Sequence, residues 1–297
     1  MRVLPRYNHI IDPYMFTYQP EAIIMNILVT LDRNYLPALR VLLLSTLHSN
    51  PGESFAFYII SDDLTQEDLA SLSALCSGRS VRFRLIRAGE ELFSNAPTLR
   101  YYSRAMYFRL LAAQLLPQDV DRILYLDPDI LVIGPLRGLY DLELGDCLYA
   151  AAMHKGLVNL SGSVNKIRLS TYESEGYYNS GVLLMNLPQI RERVLPQDIF
   201  DYVARWKDIL LLPDQDVLNG LYGEYILPLD EKLWNYDARK YREYLLATQG
   251  EANLDWVMRH TSILHFCGKN KPWKKHARGR FAALYRHYMR LCNQLSD

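Results

Sequence analysis

Two carboxylates, those of Asp127 and Asp129, directly follow the apolar run Ile123–Leu126. The run is typical of a buried strand, so both carboxylates are expected where that strand leaves the core. Carboxylate oxygens are the ligands that Mg²⁺ and Mn²⁺ prefer, and α/β sheets bind their ligands at the carboxyl ends of strands. Because Asp and Pro are also common in turns, the segment taken alone is compatible with a simple strand-ending turn as well.

A second set of polar residues follows the predicted strand that ends near His265. Its imidazole can complete a metal site with two carboxylates, and the ammonium group of Lys271 can pair with a diphosphate. Gly268 lies between them and permits a close backbone approach to a ligand. A single histidine at a strand end is more often structural. Together with Asp127 and Asp129, these residues could bind a nucleoside diphosphate and a divalent cation.

Three further polar segments have both a functional and a structural interpretation. Leu31–Tyr35 follows the first predicted strand, where the base and ribose of a nucleotide usually bind, although Asp32 is also a good helix cap. Asn179–Gly181 precedes an apolar strand and suits either a close approach to a ligand or an ordinary turn. Asp214–Asp216 opens a helix, where the helix dipole favours carboxylates even without a ligand.

The elements that must position these residues alternate between strand and helix in the first half of the chain. Strands are predicted at residues 26–31, 55–61, 81–87 and 123–126, and helices at 35–48, 65–76 and 103–116. Alternation at this spacing indicates parallel crossovers in a layered α/β sheet. Beyond residue 140 we predict strands at 148–153, 181–187, 225–229 and 262–266, a polar loop at 154–178, and helices at 197–209, 215–222 and 277–291.

We therefore predict a single continuous α/β domain with a mostly parallel, Rossmann-like sheet flanked by helices. Residues 1–25 form an irregular N-terminal extension, residues 26–135 a nucleotide-binding half and residues 136–275 an acceptor-binding half. Residues 276–297 are predicted to contain a basic amphipathic helix.

Composition narrows the class of protein. Lysine plus arginine and aspartate plus glutamate each number 33, so no overall field favours nucleic acid as a partner. The four cysteines are scattered, which is typical of reduced thiols in a cytoplasmic protein. The N-terminus has no apolar signal segment, and no apolar run approaches the roughly 18 residues of a membrane span. We predict a cytoplasmic protein.

The C-terminal helix leaves two interpretations open. Arginines lie between apolar residues that recur at helical spacing. The apolar residues are Phe281, Leu284, Tyr285, Tyr288 and Leu291. Such a stripe packs on the core of most proteins, with the arginines solvated. Because six basic and no acidic residues occupy positions 269–280, the helix could instead attach the protein peripherally to anionic lipid at the inner face of the membrane.

Four segments together resemble glycosyltransferase family 8, which includes bacterial lipopolysaccharide α-glucosyl- and α-galactosyltransferases and the glycogenins. They are ILYLDPDILV, YYNSGVLLMNL, DQDVLNG and HFCGKNKPW, in the expected order within residues 26–275. The resemblance implies the GT-A fold and a retaining, Mn²⁺-dependent enzyme, with Mg²⁺ as the substitute metal. It further implies a UDP-glucose or UDP-galactose donor and a glycan or lipid-linked glycan acceptor of the cell envelope.

The resemblance also assigns roles by position. It implies that the metal is held by Asp127, Asp129 and His265. It implies nucleotide contacts from Asp32, Asn34, Asp127, Gly268 and Lys271. The residues that match those facing the donor sugar and its anomeric carbon are Arg109, Asn179, Asp214 and Gln215. Residues 1–25 have no counterpart in compact family members, and the loop at 154–175 does not identify an acceptor.

Two other functions fit part of the same pattern. A sugar nucleotidyltransferase also combines an α/β domain with a divalent cation, but no glycine-rich phosphate loop follows the first strand. A catalytically silent sugar-nucleotide-binding protein has no need of both aspartates together with His265 and Lys271. For the transferase, Gln215 is a poor nucleophile because an amide carries no charge. We therefore expect attack on the same face of the sugar, guided by the leaving phosphate, rather than double displacement.

Overall fold

The computed structural model describes residues 24–88, 105–153, 176–275 and 277–295. The strands of these residues are β1 (Met25–Thr30), β2 (Phe55–Ile60), β3 (Val81–Ile86), β4 (Arg122–Leu126), β5 (Ile130–Val132), β6 (Tyr149–Met153), β7 (Tyr178–Asn186), β8 (Ile226–Leu229), β9 (Tyr236–Asp237) and β10 (Ile263–His265). The helices are α1 (Leu36–Ser49), α2 (Gln66–Ala74), α3 (Ala105–Leu110), α4 (Ala112–Leu115), α5 (Arg137–Tyr140), α6 (Leu187–Arg193), α7 (Pro196–Trp206), α8 (Pro213–Tyr222), α9 (Glu231–Trp234), α10 (Tyr241–Ala247), α11 (Leu254–His260) and α12 (Ala282–Gln294).

The larger sheet has seven strands in the order β3-β2-β1-β4-β7-β6-β8. Strands β3, β2, β1 and β4 pair in parallel, and β6 pairs in parallel with β8. Strand β7 runs antiparallel to both of its neighbours, β4 and β6. The predicted single α/β domain with a mostly parallel sheet is confirmed. The division into halves at residue 135 stays a prediction.

A smaller sheet, in the order β5-β10-β9, brings distant polar residues together. Strand β10 runs antiparallel to β5 with His265 opposite Ile130, and β9 places Asp237 on the other side of His265. The backbone N–H of Phe266 donates to the carbonyl of Asp129 at 3.1 Å. This register sets His265 beside the carboxylates that follow β4.

Helices cover the larger sheet, and the hydrophobic core lies between these helices and the strands. Helix α1 is apolar almost all round, and nine of its residues are buried because it is enclosed on two sides. One side packs under the strands, through Leu39 and Leu42 among others. The other side contacts α12, whose Tyr285 is fully buried in the same cluster as Val41. The apolar stripe of α12 is therefore packed on the core, as its structural interpretation expects.

Three predicted boundaries are wrong, each for a local reason. The helix at 103–116 is two short helices, α3 and α4, which meet at Leu111. The strand placed at 181–187 begins at Tyr178, because the Asn219 amide bonds the N–H and the C=O of Tyr178 at 2.7 and 2.8 Å, as a paired strand does. The last helix begins at Ala282 rather than at 277, after Arg280 has stacked on the ring of Tyr241 at 4.1 Å.

Some predictions fall elsewhere in the chain. Residues 1–23 of the predicted extension and residues 154–175 of the predicted acceptor-side loop lie outside the described residues. Among the helices of the described ranges, none has the length and apolar character needed to cross a membrane.

Candidate active site

Three potential metal ligands meet where the two sheets join. One ligand atom from each of Asp127, Asp129 and His265 lies within 4.8 Å of the other two. Nε2 of His265 is 3.4 Å from Oδ1 of Asp129 and 3.6 Å from Oδ2 of Asp127. Two carboxylates and an imidazole suit Mn²⁺, so the residues fit the metal that the resemblance implies. Their role as its ligands stays a prediction.

His265 is buried, and its second ring nitrogen is occupied. Nδ1 lies 2.8 Å from the amide oxygen of Asn235, which leaves Nε2 turned toward the carboxylates. Burial opposes the charged form of the ring, but Cys267 and Asp129 raise the pKa of His265 well above its ordinary value. A proton and a divalent cation therefore compete for Nε2.

Asp129 is buried between two cationic groups. The ammonium of Lys271 forms an ion pair with Oδ2 and also donates to the carbonyl of Phe266 at 3.1 Å. Burial alone would raise the pKa of Asp129, but His265 and Lys271 outweigh it and hold the pKa well below its ordinary value. Asp129 is therefore ionised at neutral pH, as a metal ligand must be.

Asp127 is held in place by the strands around it. Its backbone N–H donates to the carbonyl of Gly181 at 2.8 Å, and its Oδ1 accepts from the hydroxyl of Tyr125 at 2.6 Å. Burial raises the pKa of Tyr125 well above its ordinary value, so this hydroxyl stays a donor. Sequence analysis missed Tyr125, because nothing in the apolar run Ile123–Leu126 distinguishes this residue from a core aromatic.

Arg109 joins the carboxylate pair to the start of helix α8. Its Nη2 is 3.0 Å from Oδ1 of Asp127, and its Nη1 is 2.8 Å from Oδ2 of Asp214. The guanidinium also donates to Oγ of Ser180 at 3.0 Å and lies 4.9 Å from the ring centre of Tyr125. Burial opposes its charge, but Asp127, with Tyr125 and Asp214, raises the pKa of Arg109 above its ordinary value. Arg109 is a fixed cation between two anions.

The first turn of α8 supplies the next pair of predicted residues. The amide of Asn179 donates to Oε1 of Gln215 at 3.2 Å, and Oγ of Ser180 donates to Oδ2 of Asp214 at 3.2 Å. Gln215 is buried, whereas about a fifth of the Asp214 side chain is exposed. The structure thus pairs Arg109 with Asp214 and Asn179 with Gln215, and the two pairs are neighbours because Asp214 and Gln215 are consecutive residues.

The remaining predicted nucleotide contacts lie around this group. Gly268 has a φ of +81°, a backbone conformation that other residues rarely adopt, so this position favours glycine. Asp32 and Asn34 are exposed after β1, and Oδ1 of Asp32 accepts from the N–H of Asn34 at 2.9 Å, the capping contact considered above. In the described ranges, no hydrogen bond joins this pair to the carboxylates. Their nucleotide contacts stay predictions.

Replacing Gly181 with alanine is expected to disturb the metal site. A Cβ at Gly181 would lie 2.3 Å from Cε1 of His265 and 2.7 Å from Oδ2 of Asp127, so both side chains or the backbone must shift. We expect Mn²⁺ affinity, measured by calorimetric titration, to fall by about tenfold, which is about 1.4 kcal/mol. Gly279→Ala is the control, because an added Cβ meets nothing within 4 Å there. Wild-type affinity in Gly181→Ala would place the metal elsewhere.

The seven-stranded mixed sheet flanked by helices is the GT-A fold of nucleotide-sugar glycosyltransferases. Residues 26–277 match the model of glycosyl transferase family 8, and the chain belongs to that family.

Solved and characterised relatives agree with this assignment. The crystal structure of galactosyltransferase LgtC, in complex with donor and acceptor sugar analogs, is similar to this chain with a TM-score of 0.75 and 26% identity, over 90% of this chain and 96% of that one. Lipopolysaccharide 1,2-glucosyltransferase of Escherichia coli K12 is 30% identical over 254 residues, 85% of this chain and 74% of that protein. Lipopolysaccharide 1,3-galactosyltransferase of Salmonella typhimurium is 26% identical over 263 residues, 88% of this chain and 76% of that protein.

Proposed function

We propose that this protein is a retaining hexosyltransferase that moves glucose or galactose from a UDP-sugar to a glycan or lipid-linked glycan acceptor, with Mn²⁺ as its metal. The observation that carries the proposal is the convergence of Asp127, Asp129 and His265. The ammonium of Lys271 forms an ion pair with Asp129 in the same group. The glucosyl- and galactosyltransferases among the relatives support a hexose donor and a lipopolysaccharide-like acceptor. Mg²⁺ suits the same oxygen-rich ligands and is the substitute metal.

The charges of the site match the charges of the reaction. Transfer breaks the bond between the anomeric carbon and the diphosphate, so negative charge builds on the leaving oxygen. The two aspartates and His265 would hold the metal ion, which would supply Lewis-acid neutralisation of that charge. Lys271, whose ammonium lies against Asp129, would pair with the diphosphate. Arg109 holds the carboxylates of Asp127 and Asp214 in position through one ion pair to each.

The surroundings of Gln215 support attack on the same face of the sugar. A double displacement normally uses a carboxylate as nucleophile. Asp214 is the adjacent carboxylate, but its Oδ2 is ion-paired with Arg109 at 2.8 Å and accepts from Ser180 at 3.2 Å, which makes it a weak nucleophile. We therefore assign Asp214 and Gln215 to orienting the sugar, with the leaving phosphate guiding the incoming hydroxyl.

The donor base gives a direct test of this function. Because Asp32 and Asn34 match uridine-contacting positions after β1, UDP-glucose and UDP-galactose with Mn²⁺ should raise the melting temperature, whereas ADP-glucose and GDP-mannose should not. The measurement is a thermal-shift screen with each nucleotide sugar, with and without Mn²⁺. Equal stabilisation by all of the donors would overturn the uridine assignment, and no stabilisation by any of them would overturn the proposed function.

We propose that the protein attaches to anionic lipid through electrostatic attraction and not through insertion of α12. The apolar residues of α12 are packed on the core, but Lys274, Lys275, Arg278 and Arg280 before it are exposed. Arg278 and Arg280 line a cleft of about 530 Å³ together with Arg239 and Arg242. The acidic residue that lines this cleft is Glu243. We expect co-sedimentation with anionic vesicles at low salt and release at high salt. Protein that stays in the supernatant at low salt would contradict this proposal.

A further inference from the structure

A chain of side-chain hydrogen bonds joins the candidate metal site to Gln215. Nδ1 of His265 is 2.8 Å from Oδ1 of Asn235, and Nδ2 of Asn235 donates to Oδ1 of Asn179 at 2.8 Å. The amide of Asn179 then donates to Oε1 of Gln215 at 3.2 Å. The four residues come from β10, the segment after α9, β7 and α8, so the chain ties four elements together.

One backbone group fixes the direction of the whole chain. The N–H of Gly181 donates to Oδ1 of Asn179 at 2.9 Å, and a backbone N–H can only donate. The oxygen of Asn179 must therefore face Gly181 and Asn235, and its NH₂ group must face Gln215. Asn235 then has to present its own NH₂ group to Asn179, which turns its oxygen toward His265.

The orientation of Asn235 decides which nitrogen of His265 serves as a ligand. An amide oxygen can only accept, so Nδ1 of His265 must carry a proton. The lone pair available to a metal is then on Nε2, the atom that faces the two carboxylates at 3.4 and 3.6 Å. Hydrogen bonds to the second nitrogen of a ligating histidine normally set its tautomer and orientation in this way.

Asn235 itself is placed by the backbone and not by a ligand. It is 1% exposed and ends the short helix α9, where its N–H donates to the carbonyl of Glu231 at 3.0 Å. The next residues form β9, which pairs alongside β10 with Asp237 opposite His265. The sheet register therefore holds the Asn235 amide between His265 and Asn179.

We propose that Asn235 is a positioning residue with two separable actions, and the proposal rests on the function proposed above. Through its oxygen it holds His265 with Nε2 toward the metal. Through its NH₂ group it holds Asn179, and thereby the amide of Gln215 beside the anomeric carbon. Metal binding and sugar orientation thus depend on opposite ends of one buried amide.

Two substitutions separate the actions. Asn235→Asp keeps an oxygen that can accept from Nδ1 of His265 but has no N–H for Asn179. We expect its Mn²⁺ affinity to stay within about threefold of wild type, whereas kcat falls by about 10–100-fold, the usual effect of losing such a supporting group. Asn235→Ala removes both ends, so Mn²⁺ affinity and kcat should each fall by about 10–100-fold.

The control is a buried amide that lies outside the site. Asn50 is 4% exposed, donates to the carbonyl of Thr46 at 2.9 Å and accepts from the N–H of Leu136 at 2.7 Å. Asn50→Ala and Asn50→Asp lose comparable hydrogen bonds at the end of α1. They therefore show how far a loss of stability alone changes Mn²⁺ affinity and kcat. They should leave Mn²⁺ affinity within about twofold of wild type, since nothing in their contacts reaches the carboxylates.

The experiment combines three measurements on the full chain. Free Mn²⁺ is counted by electron paramagnetic resonance without nucleotide, kcat and KM are measured at saturating Mn²⁺, and the Nδ1–H proton of His265 is followed by NMR. That resonance is identified by its loss in His265→Gln. It should be protected from exchange in wild type and in Asn235→Asp, and it should be absent in Asn235→Ala.

The outcomes distinguish this proposal from the proposed function. Wild-type protein that binds no Mn²⁺ contradicts the metal assignment, whereas the NMR measurement still tests Asn235 without any metal. The positioning role is overturned if Asn235→Ala keeps the Nδ1–H resonance and binds Mn²⁺ as wild type does. It is also overturned if Asn235→Asp loses Mn²⁺ affinity and kcat in parallel, or if it retains the wild-type kcat.

Discussion

Asp127→Ala and Asp129→Ala are each expected to lower Mn²⁺-dependent release of UDP by at least about 100-fold, because each removes a carboxylate from a site with three potential ligands. The two variants should differ in their secondary effects. Asp127→Ala also leaves Arg109 without one of its two carboxylates. Asp129→Ala instead frees Lys271 from its ion pair. Both variants should stay folded, with far-ultraviolet circular dichroism unchanged.

The control for both variants is Asp119→Ala, which removes an exposed carboxylate from the loop before β4. Its activity should equal that of wild type. If either Asp127→Ala or Asp129→Ala kept activity within about tenfold of wild type, the loss in barrier would be under about 1.4 kcal/mol. A metal ligand of the proposed kind is not compatible with so small an effect.

Arg109→Ala is expected to have the largest effect on stability. The guanidinium lies between Asp127 and Asp214, which have only about 17% and 22% of their side chains exposed, and its removal leaves two negative charges facing each other. Breaking such a pair by removing one partner typically costs about 3–5 kcal/mol, reduced here because the aspartates are partly hydrated. We expect a loss of about 3 kcal/mol in the free energy of unfolding and a melting temperature lower by about 5–10 °C.

Arg82→Ala is the matched control, because Arg82 is exposed on the edge strand β3. Its melting temperature should remain within about 1 °C of wild type, as for most surface substitutions. Denaturant titration followed by fluorescence gives the free energy of unfolding of both variants. An Arg109→Ala protein as stable as wild type would mean that Asp127 and Asp214 do not face the guanidinium in solution.

The parallel half of the fold could be predicted from local patterns. Strands such as Phe55–Ile60 are short apolar runs bounded by turn residues, and helix α1 has leucines at regular spacing, so each element is visible in its own sequence. The smaller sheet could not be predicted in this way. Only its strand β10 lies within a predicted strand, at residues 262–266. Strands β5 and β9 have three and two residues, too few for any periodicity to appear, so the pairing of the three strands was not visible in the sequence.

The candidate site shows the same division between local and long-range information. The strand-end position of Asp127 and Asp129 follows from the apolar run before them. The residue types of His265, Gly268 and Lys271 also indicate metal and diphosphate binding. The roles of the residues that face the donor sugar come from the resemblance. Asn235 and Tyr125 carried no signal, because their importance lies in hydrogen bonds to residues distant in sequence. For Gly181 the sequence left open a close approach to a ligand or an ordinary turn, whereas the atoms closest to a Cβ at this position belong to His265 and Asp127.

We propose that this family 8 member transfers a hexose from a UDP-sugar with the help of Mn²⁺. The most direct measurement is the release of free UDP from UDP-glucose and from UDP-galactose, with Mn²⁺ and with EDTA. Since water can slowly replace the acceptor, no acceptor has to be known. We predict that one of the two donors releases UDP with Mn²⁺ and that EDTA stops the release. This function is contradicted if neither donor yields UDP although the protein binds the donor, or if the protein instead exchanges UTP with a sugar phosphate.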